Sequence, residues 1–558
     1  MQLKSLTARI AARAREERGM TMLFALFTLT ITTLVLGGTF MAVLNDSHLS
    51  RNDLDQKRAY AAAQAGIQAY NYQLNQNESY WQTCTPLGNT GATGFNGVNG
   101  NGFVTVPGST DAGGGSESYY VKPLFASTAP ASDRKCDSTN SLATMIEGSA
   151  AGIASGSFRI ASAGHSGNAT RTIVAQYKPP SFLDYVYYTD YETLDPAALP
   201  GTPSDCARHY QDVPGQGNDC GGPINFITGD AINGPLHSED WLSICGTPVL
   251  GRTSNDRIEA PGYTNESGGC SNSPRILGTY NNQAPSITPP PDNSELLQVT
   301  QTSPVNYQFT GATKIVLDDT ILNANTMTVT NANLNSGSPT VLQWPSNGVV
   351  YVSTASAGCT VTYTPFNPSY TNDANCGNVY ISGKYSQSLT VASDNDVIIN
   401  GSITTPVDSN GVPTTNALLG LIANDFVRVY HPVSGTRGNT QGDCNGTGSV
   451  NVTNGTGSLY NPKIYAAILA VNHSFIVDNY DCGGESPALG TLYVYGAIAQ
   501  LFRGPVGTGG SGGASSGYTK SYNYDDRLAN EEPPYFLDPV SAQWFVSRQT
   551  ECNSTATC

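Results

Sequence analysis

Hydrophobic and polar residues follow three patterns along the chain, and each pattern predicts a different kind of element. Residues 20–45 include "MTMLFALFTLTITTLVLGG" and carry no charge. A helix over the whole range 20–45 is longer than the hydrocarbon core of about 30 Å. Residues 46–76 lack proline and predict a continuing amphipathic helix. Beyond residue 115, short runs that alternate apolar and polar positions between Gly, Asn and Asp predict β-strands. We therefore expect a mainly β protein with one long N-terminal α-helix.

The flanks of the apolar segment predict its orientation in a membrane. Basic residues outnumber acidic ones before it: Lys4, Arg9, Arg13, Arg15 and Arg18 stand against Glu16 and Glu17. The positive-inside rule then keeps residues 1–19 in the cytoplasm as a basic leader. The segment is too long for an ordinary signal-peptide core, and no A-x-A cleavage site follows it. We expect a single-pass membrane protein with a transmembrane helix over 20–45 and its bulk outside the cytoplasm.

Small residues form a stripe on the helix that follows the apolar segment. Ala61, Ala65 and Ala69 share one face at i, i+4 spacing, with Ala62 and Gly66 beside them. A stripe of this kind lets a neighbouring element approach closely. It predicts that this half of the helix packs against its own domain.

The N-terminal region resembles that of type IV prepilins, and most closely that of minor pilins with a PilX-type N-terminus. The residues that carry the resemblance are Arg18-Gly19-Met20, the apolar stretch, and "KRAYAAAQAG" over 57–66. The resemblance spans about residues 14–75. It implies that a prepilin peptidase cleaves after Gly19 on the cytoplasmic side. Met20 then becomes the mature N-terminus and a candidate for N-methylation, and the membrane helix is retained.

One position departs from the prepilin pattern. Major pilins usually carry Glu five residues into the mature chain, where this chain has Phe24. Without that carboxylate, a costly buried charge is absent, and so is its contact with the N-terminal amine of a neighbouring subunit. Because family members without it include minor and tip-type subunits, the resemblance implies an accessory subunit. A membrane anchor unrelated to pili is the alternative.

The region up to residue 180 predicts a pilin-like α+β domain over 46–180, made of the helix 46–76 and a set of strands. "ESYYVKPLFA", "SGSFRIASAGHSG" and "ATRTIVAQYKP" alternate apolar and polar positions and predict antiparallel strands. The last two resemble the closing strands of PilX-like proteins. His165 falls in the turn between them, where a solvated residue is expected. Pro179-Pro180 marks the domain boundary.

Residues 181–545 predict a second, extracellular domain. Their strands are three to six residues long and end at Gly, Asn or Asp corners, as in "LTVASDNDVIINGSI". This texture is typical of a right-handed parallel β-helix with about 20–25 residues per coil. A β-sandwich is the alternative, although it would show regular hairpin signals. Parts of this region resemble solenoid domains attached to pilin-type N-termini in bacterial surface proteins. Residues 546–558 predict a C-terminal cap or tail, a short helix closed by a disulfide.

The cysteines and the overall charge bear on location and partners. All twelve cysteines follow the apolar segment, which favours disulfides in an oxidising compartment. The net charge of −16 argues against nucleic acid as a partner. The spacing predicts six local pairs, although sequence cannot fix the connectivity. The pairs are Cys84–Cys136, Cys206–Cys220, Cys245–Cys270, Cys359–Cys376, Cys444–Cys482 and Cys552–Cys558.

Carboxylates are common in the second domain, but their pattern does not predict catalysis. Asp184, Asp190, Glu192 and Asp195 crowd a Tyr-rich segment without the tight loop that Ca²⁺ requires, so capping and surface roles are expected. The candidates for paired catalytic carboxylates are Asp230, Glu239 and Asp240 near His237, or Asp394 with Asp396. None forms a recognisable motif. Asp525, Asp526 and Arg527 predict an ion-pair cluster near the end of the domain.

These observations predict an accessory subunit of a type IV pilus or pseudopilus, anchored in the membrane before assembly, that serves assembly, adhesion or attachment. The expected partners are other pilin subunits, the assembly machinery, a prepilin peptidase and the membrane, with surface glycans or a host surface as further candidates. We expect no catalytic residue, metal or cofactor. A membrane-anchored carbohydrate-active enzyme of the β-helix type and an adhesin unrelated to pili are the alternatives.

Overall fold

The computed structural model describes most of the chain, with gaps between the stretches that it defines. The described residues are 3–77, 80–83, 103–110, 116–125, 157–179, 181–199, 206, 209, 223–264, 270, 272–301, 307–318, 326–366, 368, 370, 373–433, 440, 459–482, 489–540 and 544–552. Of residues 3–21, 42–50, 82–83 and 110 the backbone alone is described.

The described residues form two α-helices and a series of mostly short strands. The helices are α1 (Leu3–Gln76) and α2 (Ser294–Gln301). The strands are β1 (Val104–Thr110), β2 (Ser116–Leu124), β3 (Phe158–Ser166), β4 (Ala169–Lys178), β5 (Tyr187–Leu194), β6 (Asn225–Ile227), β7 (Ala231–Asn233), β8 (Leu236–Ser238), β9 (Leu242–Cys245), β10 (Val249–Leu250), β11 (Arg257–Glu259), β12 (Tyr263–Thr264), β13 (Arg275–Ile276), β14 (Thr279–Asn281), β15 (Gln308–Thr310), β16 (Thr313–Asp318), β17 (Thr326–Asn331), β18 (Thr340–Gln343), β19 (Val349–Ser353), β20 (Val379–Lys384), β21 (Leu389–Ser393), β22 (Val397–Thr404), β23 (Leu419–Ala423), β24 (Val427–Val429), β25 (Lys463–Ala470), β26 (Phe475–Val477), β27 (Thr491–Arg503), β28 (Gly507–Gly510), β29 (Gly513–Gly517), β30 (Thr519–Tyr524) and β31 (Phe545–Cys552).

The chain folds into two compact units. The first takes its described residues from 1–146, 158–177 and 545–558, and the second from 147–157 and 178–544. The second unit is therefore an insertion into the first, because the chain leaves the first unit after β4 and returns to it with β31. The described C-terminal residues are grouped with the N-terminal unit, whereas the sequence placed 546–558 after the second domain as a cap or tail.

The first unit packs the second half of α1 on a five-stranded sheet of order β1-β2-β3-β4-β31. The pairs β1–β2, β2–β3 and β3–β4 are antiparallel, as the alternating sequence predicts. An aromatic group closes the core: Phe158 stacks on Tyr177 with ring centroids 5.2 Å apart, and Tyr70 of α1 lies 5.8 Å from the Tyr177 ring. The Tyr177 hydroxyl donates to the backbone oxygen of Ile67 at 3.1 Å, which joins β4 to the helix.

The helix contacts the sheet through a different stripe from the predicted one. Ala59, Ala62, Ala63 and Gly66 are buried, whereas Ala61 is exposed and Ala65 and Ala69 are half-buried. The choice of Ala61, Ala65 and Ala69 as the packed face is therefore wrong by about one residue around the helix. The adjacent residues face the sheet because the apolar side chains that follow, Ile67, Tyr70 and Leu74, continue the stripe of Ala59, Ala63 and Gly66 at i, i+3/i+4 spacing.

The C-terminal residues form a strand and not the predicted helix. Strand β31 lies beside β4 at the edge of the sheet. The Ser547 hydroxyl donates to the Gln176 carbonyl at 3.2 Å, and Glu551 pairs with Arg171, so the two strands run in opposite directions. Alternation over "FVSRQTEC" suits an edge strand with one exposed face, and pairing with β4 outweighs any helical preference.

The first half of α1 includes one segment that is long and apolar enough to cross a membrane, Met22–Met41, with a mean hydropathy of 1.9 and no part of it buried by the described protein. Five threonines in this segment are satisfied locally. The hydroxyl of Thr28, for example, donates to the Phe24 carbonyl at 2.9 Å, and Thr30, Thr32, Thr33 and Thr39 make the same kind of bond. Hydroxyls bonded to their own helix cost little in lipid, which explains how threonine is compatible with a membrane segment.

The second unit is dominated by parallel ladders. From β19 to β26, strands pair in parallel with the strand after next. One ladder joins β19 to β21, β21 to β23 and β23 to β25, and a second joins β20 to β22, β22 to β24 and β24 to β26. Like residues stack in register, for example Leu389 on Leu419 and Val427 on Phe475, and all four are buried. Antiparallel pairs also occur, between β16, β17 and β18 and between β28 and β29, so the sheet is mixed. A sandwich of antiparallel sheets does not account for this pairing.

The longest ladder is not in sequence order. It runs β14-β11-β8-β5-β27-β25-β23-β21-β19-β15, so that the first strand of the unit, β5, lies beside one of its last strands, β27. Strand β5 therefore lies near the middle of the ladder. The strands that follow it in sequence extend the ladder to β14 at one end. Strand β15 lies at the other end, and later strands continue the ladder from there to β27, beside β5. This order places the beginning and the end of the second unit next to each other, as an insertion between two neighbouring strands requires.

Candidate functional site

A cleft of about 270 Å³ lies in the second unit, where three turns of the ladders meet. The turns follow β21, β23 and β25, and each connects one ladder to the other: residues 394–396, 424–426 and 472–474. They stack because the backbone N–H of Asp425 donates to the Asn395 carbonyl and that of Asn472 to the Asn424 carbonyl, both at 3.0 Å. Polar turn residues from successive strands therefore come together along one edge of the unit.

The floor of the cleft is a buried arginine held by two carboxylates. Nε and Nη2 of Arg428 donate to the two oxygens of Asp478 at 3.0 and 3.1 Å, and Nη1 donates to Asp396 at 2.9 Å. Asp396 also accepts from the Phe426 backbone N–H at 3.1 Å. A buried arginine needs such bidentate geometry to offset its desolvation. Its position on β24 lets it join β24 to the Asp396 turn on one side and to Asp478, after β26, on the other.

One wall of the cleft comes from the segment between β19 and β20. The hydroxyls of Tyr363 and Tyr370 donate to the Asp478 oxygens at 2.8 and 2.7 Å, and the Arg428 guanidinium lies 4.0 Å from the centre of the Tyr363 ring. The Cys359–Cys376 disulfide closes this segment, and Cys376 itself lines the cleft. The bridge therefore restrains the wall that carries the two tyrosines.

The mouth of the cleft holds an imidazole between two carboxylates. Nδ1 of His473 lies 2.9 Å from Oδ2 of Asp195, and Nε2 lies 3.9 Å from Oδ1 of Asp425. The His473 ring stacks on Phe426 with centroids 4.4 Å apart. Asp195 is buried, and it also accepts from the Ala197 backbone N–H at 2.8 Å, whereas the Asp425 side chain is 35% exposed. Asp195 is thus fixed, and Asp425 is the carboxylate that is open to the cleft.

Both titratable groups at the mouth have shifted pKa values. Burial, and next the charge of Asp396, raise the pKa of Asp425 to about 6, although His473 opposes the shift. Burial alone would lower the pKa of His473, but its hydrogen bond to Asp195 and the charges of Asp195 and Asp425 raise it above the usual range. The charges of both groups therefore depend on pH and on their neighbours, which suits pH-dependent binding.

The polar groups of the cleft are mostly hydrogen-bond acceptors. In the ranges that the structure defines, no group of three or more His, Cys, Asp or Glu side chains is arranged to hold a metal ion. Asp373, a further lining carboxylate, accepts from the Tyr380 hydroxyl at 2.6 Å and from the Asn378 amide at 2.9 Å. The arrangement is a set of hydrogen-bonding groups with an excess of acceptors.

The predicted processing residues lie inside α1. Gly19 and Met20 precede the apolar segment Met22–Met41 within one unbroken helix. Their side chains fall outside the described part of the chain, so cleavage between them stays a prediction. Phe24, at the position where major pilins carry Glu, is 70% exposed along the membrane segment.

Two of the six predicted disulfides are seen directly: Cys245 is bonded to Cys270, and Cys359 to Cys376. Cys206, Cys482 and Cys552 are also disulfide-bonded. Their predicted partners, Cys220, Cys444 and Cys558, lie outside the described residues, as do both members of the predicted Cys84–Cys136 pair. These four pairs remain predictions.

The structure separates the carboxylates that the sequence placed together. In the Tyr-rich segment, Asp184 pairs with Lys178, Asp190 with His209, Glu192 with Arg503 and Asp195 with His473. Asp184 and Asp195 also cap short 3₁₀ helices, as expected of capping residues. Glu192 differs from the expectation, because it is fully buried beside Arg503 rather than at the surface.

The candidate catalytic carboxylates are engaged in separate contacts. Glu239 binds His237 at 2.9 Å, Asp230 binds Lys520 at 2.7 Å, and Asp240 accepts from the backbone N–H groups of Glu192 and Trp241. Asp394 accepts from the Thr354 backbone N–H at 3.0 Å, while Asp396 joins the cleft floor. Of the terminal cluster, Asp525 pairs with Arg527, but Asp526 pairs with Arg252.

Sequence reasoning missed the residues that define the cleft: Asp425, Arg428, His473 and Asp478. A signal was present, since "SDNDV", "ANDFV" and "VNHSF" occupy the same place in three successive turns. The intervals between them are unequal because long segments separate β22 from β23 and β24 from β25, so a search for a fixed period does not align them.

Comparisons with known proteins add little to this description. No protein-family model matches the chain, and no curated protein matches it. Among solved structures, the chain is similar to "Crystal structure of competence-associated pilin ComZ from Thermus thermophilus", at 13% sequence identity over 90% of this chain and 98% of that chain, with a TM-score of 0.28. Because so low a TM-score does not establish a shared fold, function has to be inferred from the chain's own residues.

Proposed function

We propose that the chain is an accessory subunit of a type IV pilus or a related pseudopilus. The observation that carries the proposal is α1. It is one helix of 74 residues, whose apolar part over Met22–Met41 has no packing partner in the described chain and whose later part packs on an antiparallel sheet. A helix whose apolar half has no packing partner, and whose other half packs in a folded domain, suits a subunit that is first inserted in a membrane. Its apolar half can then pack against the helices of other subunits in a filament.

The proposed processing follows from the same helix. Residues 1–19 act as a cytoplasmic leader, a prepilin peptidase cuts after Gly19, and the segment 20–45 spans the membrane from the new terminus at Met20. Phe24 favours an accessory place in the filament over a bulk one, because it lacks the carboxylate that major pilins use to contact the neighbouring terminus. The expected partners are the pilin subunits, the assembly machinery and the peptidase.

We infer further that the second unit is the right-handed parallel β-helix expected over 181–545. In support, strands pair in parallel with the strand after next, and two such ladders run side by side. Parallel strands joined by crossovers are almost always connected in the right-handed sense. A solenoid of this kind is a rigid scaffold that projects a long surface from its anchor.

The second unit is proposed to bind or project rather than to catalyse. A glycosidase needs two carboxylates held about 5–10 Å apart in a cleft, with one free to accept substrate. The carboxylates named from the sequence are instead hydrogen-bonded within the fold, as with Asp230 to Lys520 and Glu239 to His237. Surface glycans, a host surface or sister subunits are the proposed contacts of this unit.

The test is whether the protein enters filaments. Surface filaments are sheared from cells that express the wild-type chain or Gly19→Val, and both the filament and membrane fractions are probed with an antibody against the second unit. We expect wild-type protein in both fractions and the variant in the membrane alone, since an uncleaved leader blocks assembly. If wild-type protein stays wholly in the membrane while the pilins of the same cell are sheared off, the chain is an anchored adhesin instead.

A further inference from the structure

The cleft mouth of the second unit contains two hydrogen-bond acceptors that face each other across a gap. Nδ1 of His473 is the protonated nitrogen, because the Asp195 carboxylate accepts from it at 2.9 Å. In the neutral ring, Nε2 therefore presents a lone pair, and Oδ1 of Asp425 lies 3.9 Å from it. This distance is too long for a hydrogen bond between the two groups.

The other contacts of Asp425 leave it available. Its backbone N–H is used within the stack of turns, and the Asn395 side-chain amide lies 3.0 Å from its Oδ2. Its side chain is 35% exposed, and that of His473 is 25% exposed. Oδ1 of Asp425 and Nε2 of His473 are thus two acceptors that share one opening.

The charge of the cleft favours a cationic ligand over an anionic one. Its lining contains the carboxylates of Asp373, Asp396 and Asp425 and one guanidinium, that of Arg428. Three nitrogens of this guanidinium already bind Asp396 and Asp478, so it offers little to an anion. An anionic group would meet unbalanced carboxylates, whereas a cation would be stabilised by them.

The number of donors selects the kind of cation. A hydroxyl donates one hydrogen bond and cannot satisfy both Asp425 and His473, while a primary ammonium carries three donors and no acceptor. A guanidinium is planar and larger, and it suits a bidentate carboxylate rather than two acceptors on opposite sides.

We propose that the Asp425–His473 cleft binds a primary ammonium group, which donates to the Asp425 carboxylate and to Nε2 of neutral His473 while Asp195 orients the imidazole. Amino sugars and lysine side chains both carry this group. The inference concerns the second unit alone and does not depend on whether the chain enters a filament.

Acid should weaken the binding, because both acceptors are lost on protonation. The groups that face Asp425 are Asp195, Asp394, Asp396 and His473. Burial and the charges of the three aspartates raise the pKa of Asp425 to about 6, and His473 opposes this shift. Protonated His473 would place an N–H where the ammonium must donate. Since its pKa is also raised, affinity should continue to rise as the pH passes neutrality.

The test is a calorimetric titration of the full chain in detergent at pH 7.5 with glucosamine, N-acetylglucosamine and N-acetyl-lysine methylamide. We expect both amines to bind in the millimolar range and the N-acetylated sugar not to bind, and we expect affinity for the amines to fall about tenfold at pH 5. Binding of one amine alone supports the site and identifies its source. If neither amine binds, or if the two sugars bind equally well, the proposal is overturned.

Matched variants locate the site. Asp425→Asn keeps the shape of the side chain and removes the charge, and it should lower amine affinity about tenfold or more. Asp190→Asn is the control, because Asp190 also contacts an imidazole, that of His209 at 2.7 Å, but does not line the cleft. Equal amine affinity in Asp425→Asn and Asp190→Asn, with both folded by circular dichroism, would place the binding elsewhere and contradict the assignment.

Discussion

At the contact between α1 and β3, single residues determine how closely helix and sheet approach. A Cβ added to Gly164 would lie 2.0 Å from the Ala59 carbonyl oxygen and 2.2 Å from the Ala63 nitrogen, so only glycine fits beneath the helix. The Ser162 hydroxyl also donates to the Ala63 carbonyl at 2.7 Å. The helix backbone rests directly on the strand, and small residues are needed on both sides.

Neighbouring alanines on α1 should therefore respond differently to enlargement. Ala62→Leu inserts three carbons at a fully buried position and should lower the free energy of unfolding of the first unit by about 1–3 kcal/mol. Ala61→Leu, at the exposed position one residue earlier, should change it little. Thermal unfolding of the purified monomer in detergent measures both, and equal losses would contradict the packed stripe.

A second residue-scale feature is the buried pair of Glu192 and Arg503, which joins β5 to β27. Nη1 of Arg503 donates to Oε2 of Glu192 at 2.6 Å, and the guanidinium lies 3.5 Å from the centre of the Phe226 ring. The hydroxyl of Tyr187 also donates to Glu192 at 3.1 Å. Since β5 and β27 come from opposite ends of the second unit's sequence, this pair stabilises the place where the unit closes.

Breaking this pair on one side should be more costly than removing both partners. Arg503→Met leaves Glu192 buried without its cation and should destabilise the second unit by about 3–5 kcal/mol in urea unfolding. The double variant Arg503→Met/Glu192→Gln should recover part of the loss, because the uncompensated charge is gone. If the double variant loses more free energy of unfolding than the two single variants lose together, the charge pairing is not the main source of the stability.

At the scale of elements, β31 shows that the sheet of the first unit is assembled from both ends of the chain. Removal of residues 541–558 should therefore expose the edge of β4 and speed amide exchange over Ala169–Lys178, as measured by hydrogen exchange and mass spectrometry. Glu551→Gln is the control. It removes only a partly exposed ion pair with Arg171, worth about 0–1 kcal/mol, and should leave β4 protected. Unchanged exchange in the truncated chain would mean that β31 does not complete the sheet.

His237 links two neighbouring strands of the long ladder, and we expect it to make the stability of the second unit depend on pH. Its ring nitrogens lie 2.9 Å from Glu239 and 2.9 Å from Glu259 on β11, and Arg257 also pairs with Glu259. Burial alone would lower the pKa of His237, but its hydrogen bonds to both carboxylates raise it above the ordinary value of 6.5. The folded state therefore binds this proton more tightly than the unfolded state does.

The sign of the effect follows from linkage. The contribution of His237 to the free energy of unfolding is fully present below pH 6.5. It is lost as the pH rises through the higher pKa that His237 has in the folded state. The melting temperature of the second unit should fall across that range, and His237→Gln should flatten the fall. His165→Gln, which lies on strand β3 of the first unit and not in the predicted turn, should leave the slope unchanged. An identical slope in wild type and His237→Gln would contradict the assigned role.

Elements were predicted from the sequence better than their connections. The apolar run of 20–45 and the strand runs of "SFRIASAG" and "TRTIVAQY" have strong local periodicity, and the structure forms the helix and strands there. The pairing of β4 with β31, the closure of β5 on β27 and the cleft all join residues that are hundreds of positions apart. The local pattern of apolar and polar residues does not indicate which distant segments pair. The proximity of Asp195, Asp425 and His473 therefore could not be predicted from the sequence.

At the scale of the whole molecule, connectivity explains how one chain can carry both units. The second unit begins at β5 and ends at β30, and both strands pair with β27, so its two ends are neighbours. An insertion with adjacent ends leaves the strands that flank it, β4 and β31, free to pair in the first unit. A large second unit can thus be inserted without altering α1 or the sheet on which α1 packs.

The most direct test of the proposed prepilin character is the mass of the mature N-terminal peptide from membranes of the native host. We predict that the chain begins at Met20, and that Gly19→Val retains residues 1–19, because the peptidase needs glycine before the cut. A mature chain that begins after Asn45 would show an ordinary signal peptide. A chain that keeps its leader in cells whose own pilins are processed would show a plain membrane anchor. Either result would contradict the account.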